Sequence, residues 1–248
     1  MTSSISNVAS GETASAYEYL GNELDLFQDA ACWKSYFASH LRPYLKGRVL
    51  EVGAGIGGTS RVLCDGQADS WTMLEPDANL AGRLTESLRQ SPLPIPHELR
   101  IGTTGDLAGE RFDCILYIDV IEHIEFDAVE LERAARHLAP GGHLVILVPA
   151  HQWLYTPFDR AIGHFRRYSC RSLNAVAPAS LRRRKLVYLD SVGLLASLAN
   201  RLWLNAAAPT RRQIRFWDRV LVRASRWIDP LLLNSVGKSV VGVWQQPE

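Results

Sequence analysis

Between residues 48 and 148 the chain alternates short, nearly unbroken apolar runs with longer stretches whose apolar positions recur every three or four residues. The runs at 48–52, 70–75, 98–101, 114–118 and 143–148 predict strands, and the stretches at 59–65, 78–90 and 127–138 predict helices. Three runs, 49–52, 115–118 and 144–148, lack any polar alternation, as strands buried on both faces do. Strand and helix alternating through short connections predict an α/β architecture: a mainly parallel, Rossmann-like seven-stranded sheet with helices on both faces and an antiparallel edge strand.

The flanks read differently. Residues 1–14 are Ser/Thr-rich and read as a frayed tail. From 16 to 45 the pattern is mostly helical: Tyr19, Leu20, Leu26, Phe27, Ala30, Trp33, Tyr36 and Phe37 recur at helical steps until Pro43 and Gly47 end it. Residues 150–180 form a long connection dense in His, Trp, Tyr and Arg, a length more often functional than filler. Strand-like runs return at 186–190 and 239–244, enclosing a helical insertion of about 45 residues, roughly 192–236. Within it, residues 213–228 place Ile214, Trp217, Val220, Leu221, Ala224 and Trp227 on one face and Arg215, Arg219, Arg223 and Arg226 on another. The organisation expected is a tail and helical cap over 1–45 and one domain over 46–248.

Charge refines this picture. The net charge of +1 hides 11 Lys+Arg against 21 Asp+Glu in residues 1–150, and 16 against 5 in residues 151–248. The two parts have different jobs. The acidic first part cancels the long-range field of Arg182, Arg183, Arg184 and Lys185, so no nucleic-acid partner is expected; peripheral membrane contact stays open for the arginine-faced helix. Cys32, Cys64, Cys114 and Cys170 form no metal-ligand spacing, and no bound metal is expected. No apolar stretch reaches about 18 residues, and the first residues lack a secretory pattern, which predicts a cytoplasmic location.

The candidate chemistry begins at residues 49–60, where a strand enters a turn with glycines at 53, 55 and 57 and then a helix. Glycines permit positive φ and close ligand approach, and a helix N-terminus favours anionic groups, so a nucleotide-type ligand is expected. The spacing satisfies both G-x-G-x-G and, through Gly58, the G-x-G-x-x-G of dinucleotide sites. Glu75, 20 residues beyond Gly55 at the tip of the second strand, adds a carboxylate able to accept both ribose hydroxyls.

Four ordered segments, Glu51-Val52-Gly53-Ala54-Gly55-Ile56-Gly57, Leu74-Glu75-Pro76-Asp77, residues 112–124, and Leu138-Ala139-Pro140-Gly141-Gly142, resemble the successive motifs of class I S-adenosylmethionine-dependent methyltransferases. Residues 149–155 with Gly163-His164-Phe165-Arg166-Arg167-Tyr168 resemble a bacterial branch with a G-H-x-R-R-Y signature. The resemblance implies S-adenosylmethionine as cofactor, with Glu51, Gly53, Ala54, Gly55 and Gly57 along its methionine part, Glu75 on the ribose and Asp119 beside the sulfonium. Where the family carries an Asp after the third strand for adenine, this chain reads Ile101-Gly102-Thr103-Thr104-Gly105-Asp106, and either Thr103 or Asp106 takes that place.

Methyl transfer from a sulfonium is an in-line displacement; the protein supplies alignment, desolvation and, for a hydroxyl or N–H acceptor, a base. The candidate bases are His123, His151 and His164. Trp153 and Tyr155 form a candidate aromatic wall, Arg167 and Tyr168 a candidate acceptor contact or a pin for the long connection, and Trp33 a cap over the site or a core residue. The expected activity is methylation of an O or N atom of a small, aromatic or heterocyclic metabolite by a monomer or homodimer. The rival readings are a lipid- or polyprenyl-linked acceptor at a membrane surface, and a non-catalytic or NAD-binding module.

Overall fold

The computed structural model describes residues 23–199 and 210–248; the tail, Tyr19 and Leu20 lie outside them. The apolar runs become strands β1 (Arg48–Val52), β2 (Ser70–Glu75), β3 (His97–Ile101), β4 (Phe112–Ile118) and β5 (Leu138–Pro149), joined by β6 (Arg182–Leu189) and β7 (Ser239–Gln245). They form one seven-stranded sheet of order β3-β2-β1-β4-β5-β7-β6. The first five run parallel, and the reversed strand is β7, which pairs antiparallel with β5 on one side and with β6 on the other. Val49, Leu50, Ile115, Leu144 and Ile146 are wholly buried, as their unbroken apolar runs require.

Helices α1 (Glu23–Phe27), α2 (Ala31–Leu41), α3 (Ser60–Leu63), α4 (Ala78–Gln90) and α5 (Asp127–Arg136) follow the expected order, with a break between α1 and α2 where one cap was expected. Asp77 N-caps α4 through the backbone N–H groups of Asn79 and Leu80. The long connection holds two short helices, α6 (Pro157–Ala161) and α7 (Cys170–Val176), each opened by a hydroxyl cap, Thr156 and Ser169. It is fastened to the sheet by a bridge between Ala150 and Tyr168.

The insertion comprises α8 (Ser191–Ala199), α9 (Arg211–Phe216), a π turn over Trp217–Leu221, and α10 (Val222–Leu231). The π turn adds a residue to the helical repeat, so the inward face runs through Ile214, Trp217, Val222, Ser225 and Asp229. Trp227 and Val220, expected on that face, point into solvent instead. Trp33 belongs to the core: its ring packs edge-on against Phe37 and tilted against Trp217, at 5.5 and 5.9 Å.

Three buried acids hold the insertion in place. Ala30 offers α2 no side-chain cap, and the missing acceptor comes from Asp218, which takes the backbone N–H of Trp33 at 2.8 Å and of Cys32 at 3.2 Å. Asp229 accepts from Tyr36 Oη and Asp190 N, each at 2.7 Å, from Ser191 N at 3.0 Å and from the Ser191 hydroxyl. Asp190 takes the Trp217 indole N–H at 2.6 Å and the Ser225 hydroxyl at 2.7 Å. Removing Asp229 leaves these donors buried without an acceptor. Asp229→Ala is therefore expected to cost on the order of 3 kcal/mol or more in urea unfolding, against about 1 kcal/mol for Tyr36→Phe, which loses one bond; similar losses for both would contradict this assignment.

Candidate active site

Strands are added to one side as far as β3 and to the other from β4 onward, so the order reverses between β1 and β4, and ligands of open α/β sheets bind outside the carboxyl ends of the strands at that crevice. Gly53 and Gly57 seat the turn that leaves β1. Both have positive φ, and a Cβ would stand 2.7 Å from Val120 at the first and 2.4 Å from Leu84 at the second. Gly55, at the crest, has Leu24 of α1, alone among the described residues, near the position of its absent Cβ, at 3.4 Å.

The turn is fixed by Glu75. Its Oε2 accepts the Gly55 N–H at 2.7 Å and its Oε1 the Asp77 N–H at 2.9 Å. Burial raises the Glu75 carboxyl, and these two bonds oppose the rise. Each carboxylate oxygen keeps a second lone pair, so a diol can still be accepted beside the backbone donors. Glu51 lies beneath, almost wholly buried, with Oε2 taking the Trp71 indole N–H at 2.8 Å. It stands one residue before the end of β1, where the chain enters the turn. Beyond β3, Thr103 and Asp106 act as one unit, Asp106 Oδ2 accepting the Thr103 N–H at 2.8 Å and its hydroxyl at 3.0 Å.

Asp119, just past β4, has φ of 53° and an exposed side chain, while its N–H is held by Leu147 O at 2.9 Å. Enclosure by the cleft walls lifts its carboxyl; the charges of His164, Lys238 and Arg167 pull it back. The next three residues form a short 3-10 turn that carries Glu122 and His123. Glu122 is wholly buried, and both its carboxylate oxygens lack a hydrogen-bond partner. Burial, helped by the charge of Asp119, pushes this carboxyl well above the usual carboxylate range.

His164 completes the cluster. Its Nδ1 lies 3.1 Å from Asp159 Oδ1, its Nε2 lies 3.9 Å from Glu122 Oε1, and its ring meets that of His123 edge-on with centroids 4.5 Å apart. Asp159 also accepts two bonds from the Arg167 guanidinium, at 2.8 and 3.0 Å, and the Thr156 hydroxyl at 2.7 Å. Burial favours the neutral acid at Asp159, but its bonds to His164 and Arg167 outweigh it and hold the carboxyl low. A carboxylate on Nδ1 fixes the tautomer that leaves Nε2 as an acceptor. His123 is different: burial and the neighbouring His164 push it down to about 3, so it stays neutral. Glu122, His123 and His164 also bring one ligand atom each within 4.8 Å of one another, a donor set that suits a divalent cation. Cysteine spacing could not reveal it, because the fold, not the sequence, brings His164 to His123.

The remaining candidates separate. His151, at φ of 67°, turns Nε2 to Gly237 O at 2.9 Å and stacks on Tyr188, and among the described residues no carboxylate pairs with it. Trp153 lies against its other side at 5.2 Å and is half exposed. Tyr155 is spent on His164 O at 2.6 Å. Tyr168, with 1% of its surface exposed, gives its hydroxyl to Asp127 at 2.6 Å, and Arg166 pairs with the same carboxylate at 2.7 Å. Tyr168 thus pins the connection to α5 rather than offering a contact surface. Two residues of this edge escaped sequence reasoning: Asp190, which follows β6, and Lys238, which precedes the reversed strand and places Nζ 4.1 Å over the Trp217 ring. Only the direction of β7 shows that its first residues lie at the carboxyl edge.

Residues 27–184 match the model of a methyltransferase-domain family. The chain belongs to that family. That family is one of methyltransferase domains, and use of S-adenosylmethionine follows at the level of the family. A ubiquinone biosynthesis O-methyltransferase of Azorhizobium caulinodans is 33% identical over 112 residues, 44% of this chain and 43% of that protein, so the match spans less than half the length of this relative. Among solved structures, the fold resembles the N-methyltransferase NodS of Bradyrhizobium japonicum bound to S-adenosylhomocysteine, with TM-score 0.58, 14% identity and 92% and 94% of the two chains covered. It also resembles the Haloferax volcanii complex of the Trm112 activator and a methyltransferase, with TM-score 0.60, 15% identity and 92% and 95% covered. At these identities the likeness is one of fold.

The residues present suit such a cofactor: a turn of positive-φ glycines, a carboxylate with spare lone pairs beside it, and an exposed acidic residue just past β4. The base of the turn has its own signature. Burial raises the Glu51 carboxyl to about 7, its bond from Trp71 opposing, so the folded protein binds this proton more tightly than the unfolded chain. Stability from this group is full below the unfolded carboxylate range and is lost as pH rises toward 7, on the order of 2–3 kcal/mol. Glu51→Gln, whose amide oxygen still accepts from Trp71, is expected to abolish that part of the loss and to equal or exceed the wild type at pH near 8 in chemical denaturation; a variant less stable than wild type at every pH would contradict it.

Proposed function

We propose that the protein transfers the methyl group of S-adenosylmethionine to an oxygen or nitrogen atom of a small aromatic or heterocyclic acceptor, with His164 as the base. The observation that carries this reading is the Asp159–His164 hydrogen bond at the carboxyl edge, close to Asp119. When bound, the cofactor supplies an electrophilic methyl group. Glu75 would hold its ribose and the turn at Gly53, Ala54, Gly55 and Gly57 its methionine part. Thr103 with Asp106 would meet the adenine, and Asp119 would lie beside the amino group.

This chain's own groups then manage a proton. Asp159 keeps the Nδ1 proton of His164 in place and stabilises the imidazolium that forms when Nε2 accepts the acceptor's proton. Arg167 and Thr156 fix Asp159, so the base is held by a chain of hydrogen bonds rather than by packing alone. His151 lacks this carboxylate partner, and His123 is too buried to hold a proton. The Gly163-His164-Phe165-Arg166-Arg167-Tyr168 segment thereby acquires a division of labour: one base, one orienting arginine, and two residues that pin the connection. Oxygen is favoured as the accepting atom by the O-methyltransferase relative, and Trp153 would form one wall for a flat ring.

A panel of phenols and ring N–H compounds, read by S-adenosylhomocysteine release, tests the reading. With an acceptor that turns over, His164→Gln is expected to lower kcat by roughly 10²–10⁴ while KM for S-adenosylmethionine stays unchanged, and His151→Gln to stay within a few-fold of wild type. Unchanged kcat in His164→Gln would contradict the assignment.

A further inference from the structure

On the last part of the insertion all exposed charge has one sign. Arg211, Arg212, Arg215, Arg219, Arg223 and Arg226 are exposed, while the two acids of the same segment, Asp218 and Asp229, are buried as caps and locks for other elements. Apolar side chains project at its end. Trp227, Leu231 and Leu233 are 81%, 82% and 85% exposed, with Ile228 and Leu232 beside them. Leu233 and Asn234 are both left-handed, at φ of 53° and 51°. A leucine is disfavoured in that conformation, and here the turn holds one outward with almost no protein contact.

We infer that this end of the insertion docks on an anionic phospholipid surface. The arrangement matches an interfacial anchor: a collar of guanidinium groups for lipid phosphates, a tryptophan for the headgroup boundary, and leucines for the acyl region. A shallow depression bounded by Arg223, Arg226 and Trp227 joins the arginines to the apolar end, with the Arg226 guanidinium 5.9 Å above the Tyr36 ring. The apolar residues stand out as a knuckle, which an acyl layer accepts without a complementary pocket. Nucleic acid would use the arginines but leave the leucines in water. Among the described residues no helix is long and apolar enough to cross a membrane, so the contact is peripheral. Asp190 and Asp229 tie the insertion to the carboxyl edge of the sheet, so docking would bring the site toward the bilayer. The inference concerns the surface alone and does not depend on the methyl acceptor.

Flotation of the full chain with phosphatidylcholine vesicles, with and without phosphatidylglycerol, tests it, alongside sedimentation of the protein alone. Wild type is expected to float with the anionic vesicles only, less as salt rises. The variant Trp227→Ser with Leu231→Ser and Leu233→Ser should lose the partition by about tenfold or more, and Arg219→Gln with Arg223→Gln should bind more weakly with a shallower salt dependence. Unchanged far-UV circular dichroism and S-adenosylhomocysteine affinity establish that the variants are folded. Failure of folded wild type to float with anionic vesicles would overturn the inference. So would a wild-type dimer that the leucine substitutions convert to monomer, since the knuckle would then be covered by a second copy.

Discussion

The site depends on one buried carboxylate. Glu75 ends the second strand with its side chain turned back toward the first, and its two oxygens bind the N–H groups of Gly55 and Asp77. A turn with three positive-φ glycines carries high conformational entropy in the unfolded chain and little packing of its own. The carboxylate gives that turn one shape, and Asp77, held in the same way, caps the helix that follows. The glycine crest, the strand tip and the start of α4 therefore form one rigid unit at the switch point of the sheet. Everything proposed for the cofactor rests on that unit.

Much of this was legible in the sequence. Buried parallel strands need apolar runs, and the runs at 49–52, 115–118 and 144–148 give themselves away; the glycine turn and Glu75 stand at fixed offsets from them. The parts that could not be read depend on contacts across long sequence distances. Periodicity put Trp227 inward because it assumes 3.6 residues per turn, and the π turn over Trp217–Leu221 breaks that assumption. Asp218 looks like a solvated residue of an amphipathic helix, yet it caps α2. Trp33 and Tyr168 carry the residue types of a binding wall, but each is used internally.

The histidines show the same limit. Sequence offered His123, His151 and His164 as candidate bases without showing what each one touches. Partners rank them: Asp159 on Nδ1 of His164, a backbone carbonyl on Nε2 of His151, and heavy burial around His123. Asp159 binds Arg167 and the His164 imidazole at once, which no spacing in the sequence announces. Family membership gives the class of reaction; only these local partners speak to how a proton would leave the acceptor.

The most direct test of the account is calorimetric titration of wild type and Glu75→Ala with S-adenosylhomocysteine, with NAD as a control ligand. The account predicts micromolar binding by wild type, a loss of more than about tenfold, roughly 1.4 kcal/mol, in the variant, and no heat with NAD. Equal affinity in both folded proteins, or binding of NAD in preference, would contradict the claim that Glu75 and the glycine turn form the cofactor site.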